Sequence, residues 1–332
     1  MNAKPLPTTV ASRVSQTVTP SREFRTLLLD SVDERRRTFR AELKRCQKKP
    51  SEEAVHDLRV AMRRLMSMLA LLASIHPEGH LRKARRRLKK QLNMFGPLRD
   101  VQVQVRSIEK MLPSFPELQE FYAYLVTREG SLVQRLDVEV KYVRTGKIKK
   151  AIGVATQQVE GLLDTPAKQR DKLTAAIRAV DAAFNTVVQR KLALIPTDSA
   201  TIHRMRVAFK KFRYMVESLA PMLDWGTSKR LKAMNAFQGS MGDIQDADVL
   251  LTRATAFAHK HGGESGAALA RALEELAHRR TMQTESFLKS ADTLFTFWQP
   301  MSSRRRRLAV GPEPVKGRTR ARAGLSRDGR GS

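Results

Sequence analysis

The sequence predicts an all-α protein built as an internally duplicated pair of antiparallel helical bundles, and three observations carry that expectation. Helix formers (Leu, Ala, Arg, Lys, Gln and Met) dominate the 332 residues, and no long stretch alternates apolar and polar side chains as a half-buried strand would. Apolar residues step three and four apart at 55, 58, 62, 65, 69 and 72 in "EEAVHDLRVAMRRLMSMLALLA" (52–73), the pattern of a bundle seam. The same step recurs at 202, 205, 209, 212, 216 and 219 in "ATIHRMRVAFKKFRYMVESLA" (200–220), at a constant offset of 147.

Along the chain, residues 1–21 are rich in Thr, Ser and Pro and read as a disordered arm. They lack the apolar core of a secretory signal; their basic, acid-free composition would also suit a transit peptide. Helical segments are expected from 22 to 298, broken at "KKPSEE" (48–53), "HPEGH" (76–80), "LPSFPE" (112–117), "DTP" (164–166), "IPTDSA" (195–200), "DWGTS" (224–228) and "HKHGGESG" (259–266). Ser51 ahead of Glu52 and Glu53, and Ser199 or Asp198 ahead of Ile202, are N-cap candidates. A second block repeats after one residue of slippage: "FGPLRDVQV" (95–103) aligns with "MGDIQDADV" (241–249), matching Gly96 to Gly242 and Asp100 to Asp246. A basic helix precedes each. The simplest arrangement is two bundles, about 22–160 and 165–298, joined near 150–170. Residues 299–332 read as a flexible basic tail, with ten basic side chains against two acids from 302 onward.

Charge is the dominant feature. Sixty-two Lys and Arg against 33 Asp and Glu leave a net +29 and a pI near 11.0. Such a surplus repels itself, so the expected partner is a polyanion: nucleic acid, an anionic membrane or a phosphate polymer. Cys46 is the only cysteine, which excludes an internal disulfide and a cysteine-based metal site and fits a reducing cytoplasm. The best apolar run, "LMSMLALLASI" (65–75), is about half of what a membrane span needs, so a soluble protein is expected.

Beside the first seam lie His56, Arg59 and Arg63, spaced three, four and seven apart and so collinear on one helix side. On the same offset His56 meets His203, Arg59 meets Arg206, Arg63 meets Lys210 and Arg64 meets Lys211. A row of basic residues is ordinarily a solvated helix face. Here the row occurs twice beside the same seam and is nearly free of compensating acids, which points instead to anion recognition. Guanidinium at the edge of a buried stripe has its stem packed and its fork fixed, which suits bidentate phosphate contacts.

"VHDLRVAMRRL" and "IHRMRVAFKKFRY", with "FGPLRD" and "MGDIQD", resemble the two copies of the CHAD domain, over about 22–298. The resemblance implies two helical bundles related by a pseudo-twofold axis, with a basic channel between them that binds inorganic polyphosphate. It also implies possible residence at polyphosphate granules. Carried across, the polyphosphate-binding residues are His56, Arg59, Arg63 and Arg64, then His203, Arg206, Lys210, Lys211 and Arg213. Arg82, Arg86 and Lys89, and Lys229 and Lys232, match less closely. Lysine at 210 and 211 keeps the charge but loses the bidentate fork. Asp100 and Asp246 read as structural, capping a helix or orienting an arginine.

Members of this family are often fused to a triphosphate-tunnel barrel, of which nothing is visible; "DVEVK" (137–141) imitates its motif within a helical segment. "HKH" (259–261) reads as a loop, not a metal site, for want of carboxylate or cysteine partners. No nucleophile motif, paired acid or Gly-rich phosphate loop emerges, so neither catalysis nor a cofactor is expected. Low aromatic content (6%) disfavours single-strand binding on stacking platforms, whereas duplex DNA held through phosphates alone remains the alternative, with the tail as its arm.

Overall fold

In the computed structural model, residues 24–222, 228–261 and 269–300 are described, and among them there are helices and turns but no strand. The elements are α1 (Phe24–Lys48), α2 (Glu52–Ile75), α3 (Gly79–Met94), α4 (Gly96–Glu109), α5 (Gln119–Lys141), α6 (Gly146–Leu162), α7 (Pro166–Leu192), α8 (Ser199–Leu219), α9 (Ser228–His261) and α10 (Ala270–Ser290). The all-α expectation holds. The arm and tail lie outside the described residues, as do most of "DWGTS" and the glycines after "HKH".

Local chemistry explains most of the boundaries. Ser51 caps α2 by accepting from the Ala54 amide at 3.2 Å. Of the two candidates at α8, Asp198 is the cap, accepting from the Ala200 amide at 2.9 Å. The neighbouring Ser199 hydroxyl donates to Asp248 Oδ2 at 3.0 Å and so ties the start of α8 to α9. Two expectations fail locally. "HKH" is the last turn of α9, where His261 stacks on Phe257 with ring centroids 4.0 Å apart, rather than a loop. The chain also turns at 142–145, between α5 and α6, where no Pro or Gly cluster announces it.

The two sequence blocks that align, 95–103 and 241–249, differ at one informative point. α3 stops at Met94 and α4 begins at Gly96, with Pro97 in its first turn. Proline inside a continuous helix would lack its N–H and clash with the carbonyl four residues back. Position 243, which aligns with 97, is Asp, and there α9 runs unbroken for 34 residues.

All twelve seam positions are buried to 2% exposure or less. α2 is buried around most of its circumference, including Ala54, Ala61, Met68 and Leu71, because it packs against α1, α3, α7 and α8. The apolar cores consequently do not follow the boundary between halves. One large core passes through α1, α2, α3, α7 and α8. A smaller one joins Ile108 and Phe121 of α4 and α5 to Phe257 of α9 and Leu276 of α10. Beyond α10, the Trp298 indole donates to Asp181 at 2.6 Å and fixes the end of the described chain against α7. The contact between α2 and α8 is what brings the two basic rows together.

Candidate functional site

A cavity of about 1000 Å³ lies among α2, α4, α8 and α9. His56, Arg59, Arg63 and Arg64 line it from α2, and His203, Arg206, Lys210 and Arg213 from α8. Lys232 joins from α9. Both rows thus face one space. Their helices place them there for the same reason: the apolar seam turns inward, and the row one step around is left at the rim of the α2–α8 contact.

The charges are costly to hold. Burial lowers the pKa of Arg59 to about 10, and Arg63, Arg99 and Arg206 push the same way while Asp100 opposes them. Arg63 is lowered by burial and by Arg206, with the Tyr214 hydroxyl and Asp100 opposing. Lys210 falls furthest, to about 7, through burial first and then repulsion from Arg206, Arg63 and Arg59. Burial, helped by Arg99, also lowers His56, so its charge is lost at lower pH than for a free imidazole. Cations gathered in a partly desolvated space carry a burial cost and a repulsion cost, and an anion placed among them would relieve both.

Several lining residues have fixed partners. Arg59 donates to the Leu92 carbonyl at 3.3 Å, satisfying one of the free C=O groups at the end of α3. Glu217, with a side chain only 14% exposed, pairs with Arg64 at 2.8 Å, Arg213 at 3.5 Å and Arg35 at 3.7 Å. Arg213 also donates to Gln238 at 2.9 Å and lies over the Tyr214 ring. Arg64 and Arg213 therefore line the cavity, as expected of phosphate-binding candidates, with their guanidinium groups paired to Glu217.

Arg206 is held by space more than by partners. A Cβ on Gly242 would sit 3.1 Å from its Nη2, and its buried Nε has no hydrogen-bond partner. Gly242 is the floor on which this guanidinium lies, whereas its sequence match, Gly96, has open space around it. Asp100 and Asp246 cap nothing, since both lie within helices; instead they line the cavity and offset Arg59, Arg99 and Arg206 electrostatically.

Five expected residues lie elsewhere. Arg82, Arg86 and Lys89 are exposed on α3, whose inward positions are Leu81, Ala84 and Leu88. Lys211 is one residue, about 100° of turn, away from Lys210 and is exposed. Lys229 is exposed in the first turn of α9 and does not line the cavity. In their place the cavity gains Arg99, with a salt bridge to Glu52 at 2.5 Å, and the amides Gln104, Gln238 and Gln245. Arg99 stands inside the repeated "FGPLRD" block but has Gln245 as its counterpart, so charge matching alone passes it over.

No helix among the described residues is long and apolar enough to cross a membrane. None of the curated proteins compared is similar enough to count as a match. Among solved structures, the chain is similar to the CHAD domain from the plant Ricinus communis (19% identity, TM-score 0.51), with 89% of this chain and 96% of that one covered. It is also similar to PptA from Streptomyces chartreusis (15% identity, TM-score 0.50), with 82% and 99% covered. These likenesses concern the fold. The CHAD domain family model matches residues 30–255, two thirds of the sequence and the whole of both basic rows, and the chain belongs to the CHAD domain family.

Proposed function

We propose that this protein binds inorganic polyphosphate in the cavity between its two basic rows, and holds it without turning it over. The observation that carries the reading is the convergence of Arg59, Arg63, Arg206 and Lys210, from two packed helices, on one space where burial and neighbouring cations lower the pKa of Arg59, Arg63 and Lys210. A phosphate chain offers closely spaced charge, no base edges to read and no rings to stack. It therefore asks for guanidinium and ammonium groups, which the lining supplies, and for few aromatics; Tyr214 in this lining is 5% exposed and covered by Arg213. Membership of the family, linked generally to polyphosphate, supports the same ligand, and residence at polyphosphate granules follows as part of the proposal.

Competition tests the ligand. With labelled duplex DNA bound to the full chain, polyphosphate at equal phosphate concentration should displace it, and excess DNA should fail to displace polyphosphate. The reverse order would favour a nucleic-acid-associated protein. Incubation with polyphosphate and a divalent metal, followed by chain-length analysis, should leave the chains unchanged; shortened or extended chains would contradict binding without turnover.

A further inference from the structure

Lys210 is more than a weaker copy of Arg63. It is a primary amine one helical turn beyond Arg206, facing Arg59 and Arg63 of α2, with Asp246 of α9 as the compensating carboxylate. Among the described residues no ion pair ties its Nζ to an acid, and the cavity around it is large enough for a small anionic metabolite. An amine beside other cations in a partly desolvated pocket sheds its proton at lower pH than a free lysine, the usual route by which a lysine becomes a nucleophile; a bound anion opposes that shift, so attack belongs to the range above neutral pH.

We propose that Lys210 is an acylation site for small acyl phosphates, whose phosphate is held by the neighbouring guanidinium groups while the amine attacks the acyl carbon. The neutral amine forms a C–N bond to the carbonyl carbon. The C–O bond to phosphate then breaks, its electron pair leaves with the phosphate, and the surplus amine proton passes to that leaving group. The products are a neutral amide on Lys210 and inorganic phosphate. Arg59, Arg63 and Arg206 act twice, by concentrating the dianion and by stabilising the charge that gathers on the departing phosphate. Acylation deletes one positive charge from the cavity, so it would weaken polyanion binding and couple it to the supply of activated acyl groups. This inference rests on the cavity being an anion site.

The test incubates the full chain with acetyl phosphate at pH 8 and maps lysine acetylation over time by peptide mass spectrometry. Lys211, adjacent on the same helix but exposed, is the internal reference. Lys210 should be modified at least about tenfold faster, and excess polyphosphate should suppress that advantage, whereas a neutral acetyl ester, lacking the phosphate handle, should show a smaller preference. Equal rates at the two lysines with acetyl phosphate would overturn the acylation site. If polyphosphate still binds in that case, the binding reading survives alone. Fast Lys210 acetylation with no polyphosphate binding would instead retain the acylation site and remove the polymer.

Discussion

If the cavity binds polyphosphate as proposed, Lys210 makes that binding a proton-linked event. Its pKa falls from an ordinary 10.5 to about 7 in the empty cavity, and a bound polyanion draws it back upward. Above pH 7 the free protein must take up a proton to bind. Affinity is then full where Lys210 is already charged, below about pH 7. It declines by up to about tenfold per pH unit as pH rises toward the bound-state value. Between pH 7 and 9 that amounts to a loss of up to roughly 100-fold; above this window Arg59, held at about 10, adds its own loss. Lys210→Arg stays charged across the window and should bind with nearly constant affinity. For the ligand-free fold the sign is opposite. The unfolded chain keeps the proton up to about 10.5 while the folded chain sheds it near 7, so Lys210 contributes rising stability over the span in which binding weakens. Calorimetric titration with polyphosphate at pH 8, in two buffers of different ionisation enthalpy, reads the proton directly. About one proton taken up per site by the wild type, and close to none by Lys210→Arg, is the expected outcome. Flat affinity in the wild type, with no proton uptake, would refute the reasoning.

Other perturbations separate binding from folding. Gly242→Ala should raise thermal stability by up to about 1 kcal/mol through helix propensity, yet weaken polyphosphate binding by crowding Arg206; unchanged binding in a titration would remove the floor role of Gly242. Glu217→Gln strips the shared partner of Arg35, Arg64 and Arg213, so a denaturant melt should show a loss of about 3 kcal/mol while affinity for polyphosphate increases. A stable variant with weaker binding would contradict that assignment. Truncation after residue 301 removes the ten tail cations and should weaken duplex DNA binding more than polyphosphate binding, as measured by gel shift; equal losses would place the polymer on the tail.

The seams were legible because burial has a period: twelve apolar positions at one offset announced α2 and α8, and all twelve are buried. The rows were legible because they sit beside the seams. Several features are not encoded in local spacing. That Arg64 and Arg213 share Glu217 depends on how α2 and α8 cross, which single-helix periodicity does not contain. That α3 turns Arg82, Arg86 and Lys89 to solvent follows from Leu81, Ala84 and Leu88 being its inward set, a pattern readable in principle but overshadowed by the density of charge. Arg99 is not marked by the repeat, because its counterpart, Gln245, is uncharged. The shared core between halves reflects apolar residues on more than one side of α2, a signal present in "LMSMLALLA".

The central claim is that the cations between α2 and α8 are a phosphate track. Arg59 also closes the end of α3, so Arg63 and Arg206 report on the cavity more cleanly. The decisive measurement is titration of the Arg63→Gln, Arg206→Gln double variant with polyphosphate at two salt concentrations, beside a thermal melt. Two lost charge-assisted contacts, each about 1.5–3 kcal/mol, predict an affinity loss of at least about 100-fold and a shallower salt dependence. The melting temperature should hold or rise, because two mutually repelling cations have left a ligand-free cavity. A variant that melts like the wild type and binds polyphosphate just as tightly would contradict the account.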